Sequence, residues 1–328
     1  MFPTRLFSTV ICTLLFICCK EKPSEKTTVQ ETEVPRQVEL ELELPAQLGE
    51  GAFWNYKTQQ LYWIDILEKK LYRYTPATKE NQSFMMPSRI GTVVPQTDST
   101  AVVALEDGVY IQNTQSGTLT LLSDVEADQP ENRFNDGKCD PNGNFWVGSM
   151  HLAEKNPVAK LYKVNPKGET TAMLDSITIS NGIVWTKDAK TMYYIDTPTT
   201  KIRAFDFDVA TATISNERVA VEVPNELGFP DGMAIDENDH LWVGMWNGNA
   251  VICFNPITGT VIDRIEIPAH NVTSCAFGGP NLDLLYITTA SVDMTAEEKT
   301  KYPLAGSVFV VKPGVKGVPS SFFGTPSE

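Results

Sequence analysis

Two stretches, DPNGNFWVGSM at 140–150 and DENDHLWVGMW at 236–246, are nearly the same sequence, and their likeness decides the fold. Each reads as an Asp-led turn followed by a strand of aromatic and β-branched residues. They start 96 residues apart, Asp140 against Asp236, about twice the roughly 40–45 residues of a propeller blade. A second pair, LYWIDILEKKLYRYT from Leu61 and MYYIDTPTTKIRAFD from Met192, repeats an aromatic strand, an Asp, a turn and another strand. Equivalent strands then start near Leu61, Val103, Phe145, Met192, Leu241 and Leu285, at intervals of 42, 42, 47, 49 and 44 residues. One four-stranded sheet fits each interval. The expected fold is all-β, a six-bladed β-propeller.

The punctuation agrees. Asp-Gly at 107–108, Asn-Gly at 142–143 and Thr-Gly at 258–259 are hairpin signals between extended runs. A propeller must also hide the seam between its first and last blades, because an open sheet edge invites aggregation. The strictly alternating QVELELEL at 37–44 is expected to pair with the strand in 306–312. One short helix is expected within 293–301, where Thr295 and Glu298 have capping-box spacing. Residues 37–328 are therefore read as one domain.

The 41 acidic against 27 basic residues give a net charge of −14, which argues against a nucleic-acid partner. The first 19 residues differ from the rest: Arg5 precedes a mostly apolar run from Leu6 to Cys19, too short to span a bilayer comfortably and built like an export signal. The polar segment 20–36 reads as a flexible tether. Cys19 stands where a bacterial lipoprotein is cleaved and lipidated, although Phe16, Ile17 and Cys18 replace the usual Leu, small residue and Gly or Ala. Lipidation of Cys19 is the expectation; cleavage without lipidation and a retained anchor stay open. The protein is thus expected in the periplasm or cell envelope, touching membrane only through the anchor. Beyond residue 19, Cys139, Cys253 and Cys275 are odd in number and strand-like in context, so buried free thiols are expected.

Four short segments break strand patterns just before predicted blade strands: GEGAFW at 49–54, NRFNDGK at 132–138, SNG at 180–182 and FPDGM at 229–233. In equivalent blades, Glu50, Asn135, Asn181 and Asp231 converge on the axis. Two carboxylates and two amides make an all-oxygen set suited to Ca²⁺, Mg²⁺ or Mn²⁺. Zinc would normally recruit His or Cys, and none of the three His lies in these segments. Any one Asn-Gly or Asp-Gly could be a mere turn; four in register argue for a site.

These segments, with YYID at 193–196 and TSCAFGG at 273–279, carry a resemblance. From about residue 40 to 318 the chain resembles the regucalcin / senescence-marker-protein-30 / gluconolactonase family. The resemblance implies one divalent cation held by Glu50, Asn181 and Asp231. It implies that Arg133 and Asn135 contact substrate oxygens and that Asp231 also transfers the proton. The activity implied is metal-dependent hydrolysis of a sugar lactone to its aldonic acid, with Ca²⁺ the leading cation and Mn²⁺, Mg²⁺ or Zn²⁺ alternatives.

One position departs from the family pattern. Where the family places a substrate-contacting Glu, three residues after the Met of the GSM segment, this chain has Ala153. Glu154 is the candidate replacement, and His151 is a second residue able to reshape the pocket. No Gly-x-Ser-x-Gly elbow, Gly-x-Gly-x-x-Gly or phosphate loop is present. Two alternatives remain: a hydrolase of other lactones or organophosphate-like esters, and a non-catalytic propeller binding sugar or calcium. A closed propeller leaves no free sheet edge, so a monomer is expected.

Overall fold

The computed structural model describes residues 1–4 and 36–325, so Cys19 and residues 20–35 of the proposed tether lie outside the described residues. Within the compact unit Arg36–Glu328 the strands form six antiparallel four-stranded sheets, the six blades expected. Blade 1 runs Gly49–Asn55, Gln60–Asp65, Lys70–Thr75 and Glu80–Met85. The innermost strands of blades 2 to 6 are Ile90–Pro95, Asn132–Cys139, Ser180–Trp185, Phe229–Ile235 and Asn271–Gly278, and with Gly49–Asn55 they pack in a ring.

The repeated sequence marks the second strand of five of the six blades, because that strand holds an aromatic residue. Fully buried Asp140 accepts from the backbone nitrogens of Asn142 and Asn144 and, at 2.8 Å, from Trp146 Nε1. Asp236 does the same for Asn238, His240 and Trp242, the last at 3.0 Å. One carboxylate thus closes the turn and pins the ring of the strand that follows. Second strands begin at Gln60, Phe145, Thr191, Leu241 and Leu284, as the repeat predicts. In blade 2 the strand starts at Thr100, three residues before Val103, since TAVVAL has no aromatic to mark it.

The seam is closed as expected. Glu39–Leu42 pairs antiparallel with Val308–Val311 as the outermost strand of blade 6. The helix Ala296–Lys301 carries both hydrogen bonds of the Thr295/Glu298 capping box. Hydrophobic side chains pack chiefly between neighbouring blades. Trp54 stacks on Tyr286 at 5.1 Å between blades 1 and 6, and Trp146 meets Trp185 edge-on at 5.7 Å between blades 3 and 4. Cys139, Cys253 and Cys275 are buried and free.

Each innermost strand breaks register near its start. Two residues oppose one between Glu50 and Phe53, Phe134 and Gly137, Ser180 and Ile183, and Pro230 and Met233. Such bulges release a side chain from the ladder and re-aim it. Asn135, Asn181 and Asp231 occupy the bulges themselves, and Glu50 is the last paired residue before its own. The far ends of these strands are capped by the C-terminal segment, where Val318 and Phe323 donate to the carbonyls of Ile235 and Pro95.

Candidate functional site

The strand starts enclose a cavity of about 430 Å³ lined by Glu50, Arg133, Asn135, Asn181, Asp231 and Glu154. That size suits a small ligand. All the candidate residues within the described chain therefore meet at one place, from blades 1, 3, 4 and 5.

The amides are held in defined orientations. Asn135 Nδ2 donates to Ser180 O at 2.6 Å and to Asn181 Oδ1 at 3.2 Å. Its own Oδ1 accepts from Arg133 Nη1 at 2.6 Å. Asn181 Nδ2 donates to Thr197 Oγ1 at 2.8 Å, and the Thr197 hydroxyl donates to Pro230 O, also 2.8 Å. This chain of bonds ties blade 3 to blades 4 and 5 and ends beside Asp231. Gly182 is needed here: a Cβ on it would stand 2.8 Å from Asp231 O. Arg133 is buried, and its Nη1 also donates to Phe134 O at 3.0 Å.

The carboxylates are crowded. Glu50 and Asp231 are buried within hydrogen-bonding reach of each other, and burial is the largest cause raising both pKa values. The Asp136 charge raises Glu50 further, while the Glu50 charge and hydrogen bond raise Asp231. Burial and mutual proximity thus favour the protonated form of both carboxyls. Asp136 itself is raised by burial, and its Oδ2 is buried without a hydrogen-bond partner. No salt bridge among the described residues reaches any of the three. Two buried carboxyls, Glu50 and Asp231, in no salt bridge among the described residues and lining one cavity with an oriented amide, fit a hard divalent cation.

Glu154 lines the cavity and Ala153 does not. The turn that brings it there uses His151, whose Nδ1 accepts from Ala153 N at 2.9 Å and whose carbonyl accepts from Glu154 N at 2.8 Å. Glu154 has a left-handed backbone, φ 59°, so the one-residue shift is absorbed in the turn. Asp136 and Thr197 were not singled out by the sequence. Asp136 hides in an Asn-Asp-Gly that reads as a turn, and Thr197 simply follows the YYID strand; only their packing gives them away.

The match to known proteins covers this whole site. Residues 48–291 fit the family model described as the SMP-30/Gluconolactonase/LRE-like region. The chain belongs to that family. Regucalcin of Xenopus laevis is 36% identical over 286 residues, 85% of this chain and 95% of that protein. YvrE of Bacillus subtilis (strain 168), named as a candidate sugar lactone lactonase, is 35% identical over 270 residues, 82% of this chain and 92% of that protein. The crystal structure of a calcium-binding regucalcin from Agrobacterium tumefaciens superposes with a TM-score of 0.84 at 29% identity, covering 88% of this chain and 98% of the other. Family membership and the six-bladed fold thus agree with the resemblance read from the motifs.

Proposed function

We propose that this protein hydrolyses a sugar lactone to the open-chain acid, using one divalent cation held by Glu50, Asn181 and Asp231. The observation that carries the reading is the convergence of two buried carboxyls, Glu50 and Asp231, an oriented amide and a buried arginine on one cavity. When bound, the cation, Ca²⁺ first and Mn²⁺, Mg²⁺ or Zn²⁺ as alternatives, supplies polarisation of the lactone carbonyl and a more acidic attacking water. Asp231 takes one proton from the water as its oxygen bonds to the acyl carbon. It returns that proton to the ring oxygen as the acyl–oxygen bond breaks. One water is consumed, and one carboxyl and one hydroxyl appear. To act as base Asp231 must be ionised, which opposite charge beside it favours. Arg133, with Asn135 holding its Nη1, presents donors to substrate oxygens and to the developing oxyanion. Glu154, which also lines the cavity, is an acceptor for sugar hydroxyls.

Export and lipidation at Cys19, and a monomeric state, belong to the same proposal and rest on the sequence. Mass measurement of Cys19 in membrane fractions tests the anchor. The enzymatic reading is tested with the soluble chain from Lys20: acid release from a panel of aldonolactones, after chelation and with each metal restored. Turnover that returns with metal and is absent in Asp231→Ala supports it. No turnover with any metal, in a folded protein, rejects it in favour of a binding role.

A further inference from the structure

The cavity contains a second arginine that none of the roles above uses. Arg89 immediately precedes the innermost strand of blade 2, one of the two blades that contribute none of the donor residues. Its backbone runs beside that of Arg133. A Cβ at Gly91 would stand 2.4 Å from Phe134 O and 2.8 Å from Asn135 N, so the absence of a side chain lets blades 2 and 3 touch at this point. The Thr92 hydroxyl adds a bond to Gly137 O at 3.1 Å. The two guanidinium groups therefore share a wall of one cavity.

Each is tethered through one nitrogen. Arg133 Nη1 bonds to Phe134 O and Asn135 Oδ1, and Arg89 Nη1 bonds to Glu106 Oε1 at 3.0 Å. Among the described residues the other nitrogens of both have no hydrogen bond, which leaves the Nε–Nη2 edge that grips a carboxylate by two parallel bonds. The two like charges also act on each other: burial is the largest cause lowering the Arg133 pKa, Glu154 opposes it, and Arg89 adds to it. Among the described residues no Lys or His lines this cavity. In a chain of net charge −14, with Glu50, Glu154, Asp231 and Asp293 also lining the cavity, an anionic substrate needs paired donors such as these two arginines to be held. A neutral polyol does not.

We infer that Arg89 is a specificity residue, and that the lactone taken by this site carries a carboxylate remote from its ring ester, held between Arg89 and Arg133. The inference rests on the lactonase reading above. The chemistry is unchanged: water adds across the acyl–oxygen bond, a second carboxylate appears, and the product is a hydroxylated dicarboxylate.

D-glucono-1,4-lactone and D-glucaro-1,4-lactone form a matched pair, differing only in a hydroxymethyl against a carboxylate at the far carbon. The wild-type kcat/KM is expected to favour the carboxylate-bearing lactone by about tenfold or more. Arg89→Gln lowers that preference roughly 10- to 100-fold, mainly through KM. Arg89→Lys falls between, because it keeps the charge and loses the fork. Glu106→Gln, which removes the counter-charge from Arg89, raises the preference. Turnover of the neutral lactone by each variant reports that it is folded. Equal losses on both lactones in Arg89→Gln, or a wild-type preference for the neutral lactone, overturn the inference. If the wild type opens neither lactone, the lactonase reading is what fails, and calorimetric binding of D-glucarate still decides this one. Tighter binding by wild type than by Arg89→Gln upholds it; equal binding overturns it.

Discussion

Asn181 gives its amide nitrogen to the Thr197 hydroxyl at 2.8 Å, and that bond decides which end of the amide is left to face the carboxylates of the site. The same hydroxyl is anchored on Pro230 O, one residue before Asp231. Removing it frees the amide to flip and present donors where a cation needs an oxygen. Thr197→Val is expected to weaken Ca²⁺ binding about tenfold, the usual size of an outer-shell effect, and Thr197→Ser to restore it. Calorimetric titration of both variants checks this. Unchanged affinity in Thr197→Val means that the amide is oriented by Asn135 alone.

Asp231 is assigned two tasks, and one substitution separates them. Asparagine keeps a carbonyl oxygen for a cation and cannot hold the transferred proton. Asp231→Asn is therefore expected to lower kcat about 10²- to 10⁴-fold while a cation still binds and raises the unfolding temperature. Steady-state kinetics beside thermal scans with and without Ca²⁺ read the two effects apart. A variant retaining more than a tenth of wild-type kcat removes Asp231 from the proton transfer.

The fold was legible because its repeat carries its own chemistry. An Asp that closes a turn and binds the next Trp must sit six residues before it, and Asp140/Trp146 and Asp236/Trp242 both obey. The second strand of blade 2, TAVVAL, has no aromatic residue, and it starts three residues before the position the repeat predicts. The site was legible where a polar residue interrupts a strand, which is how Glu50, Asn135, Asn181 and Asp231 stand out. It was not legible where function comes from contacts between blades. Arg89 is an ordinary charged residue in the sequence and becomes a wall of the cavity only because Gly91 lets blade 2 press against blade 3. The bulges also escape a linear reading: Asp136-Gly137 looks like a hairpin turn and lies inside a strand.

The paired Asp clamps are expected to carry much of the stability of their blades. Asp140 is fully buried with its neighbours' donors aimed at it, and truncation leaves those donors unpaired. Asp140→Ala is expected to cost about 3 kcal/mol, seen as a fall of roughly 6–12 °C in Tm for a domain of this size. Asp236→Ala should behave alike, since it makes the same bonds to Asn238, His240 and Trp242. Calorimetry measures both. kcat at 20 °C should stay near wild type, because neither residue touches the cavity; a lost kcat with unchanged Tm contradicts the clamp.

Burial of the Glu50, Asp231 and Asp136 carboxyls also sets how stability responds to pH. All three pKa values are raised in the folded state, Glu50 to about 7, against roughly 4 for an unfolded carboxyl. The folded state therefore holds more protons than the unfolded one between these values. The contribution is full below about pH 4, and the Glu50 share is lost as pH rises toward 7, where its folded carboxyl ionises. For Glu50 alone the loss is about 3 kcal/mol. A divalent cation takes the place of those protons, so its stabilising effect should grow over the same range. Denaturant titrations of chelated protein from pH 4.5 to 7.5, with and without Ca²⁺, measure both slopes. Comparison with Glu50→Gln/Asp231→Asn removes the background from the −14 net charge. If chelated wild type and the double variant fall in parallel, the carboxyl cluster is not the source of the pH dependence.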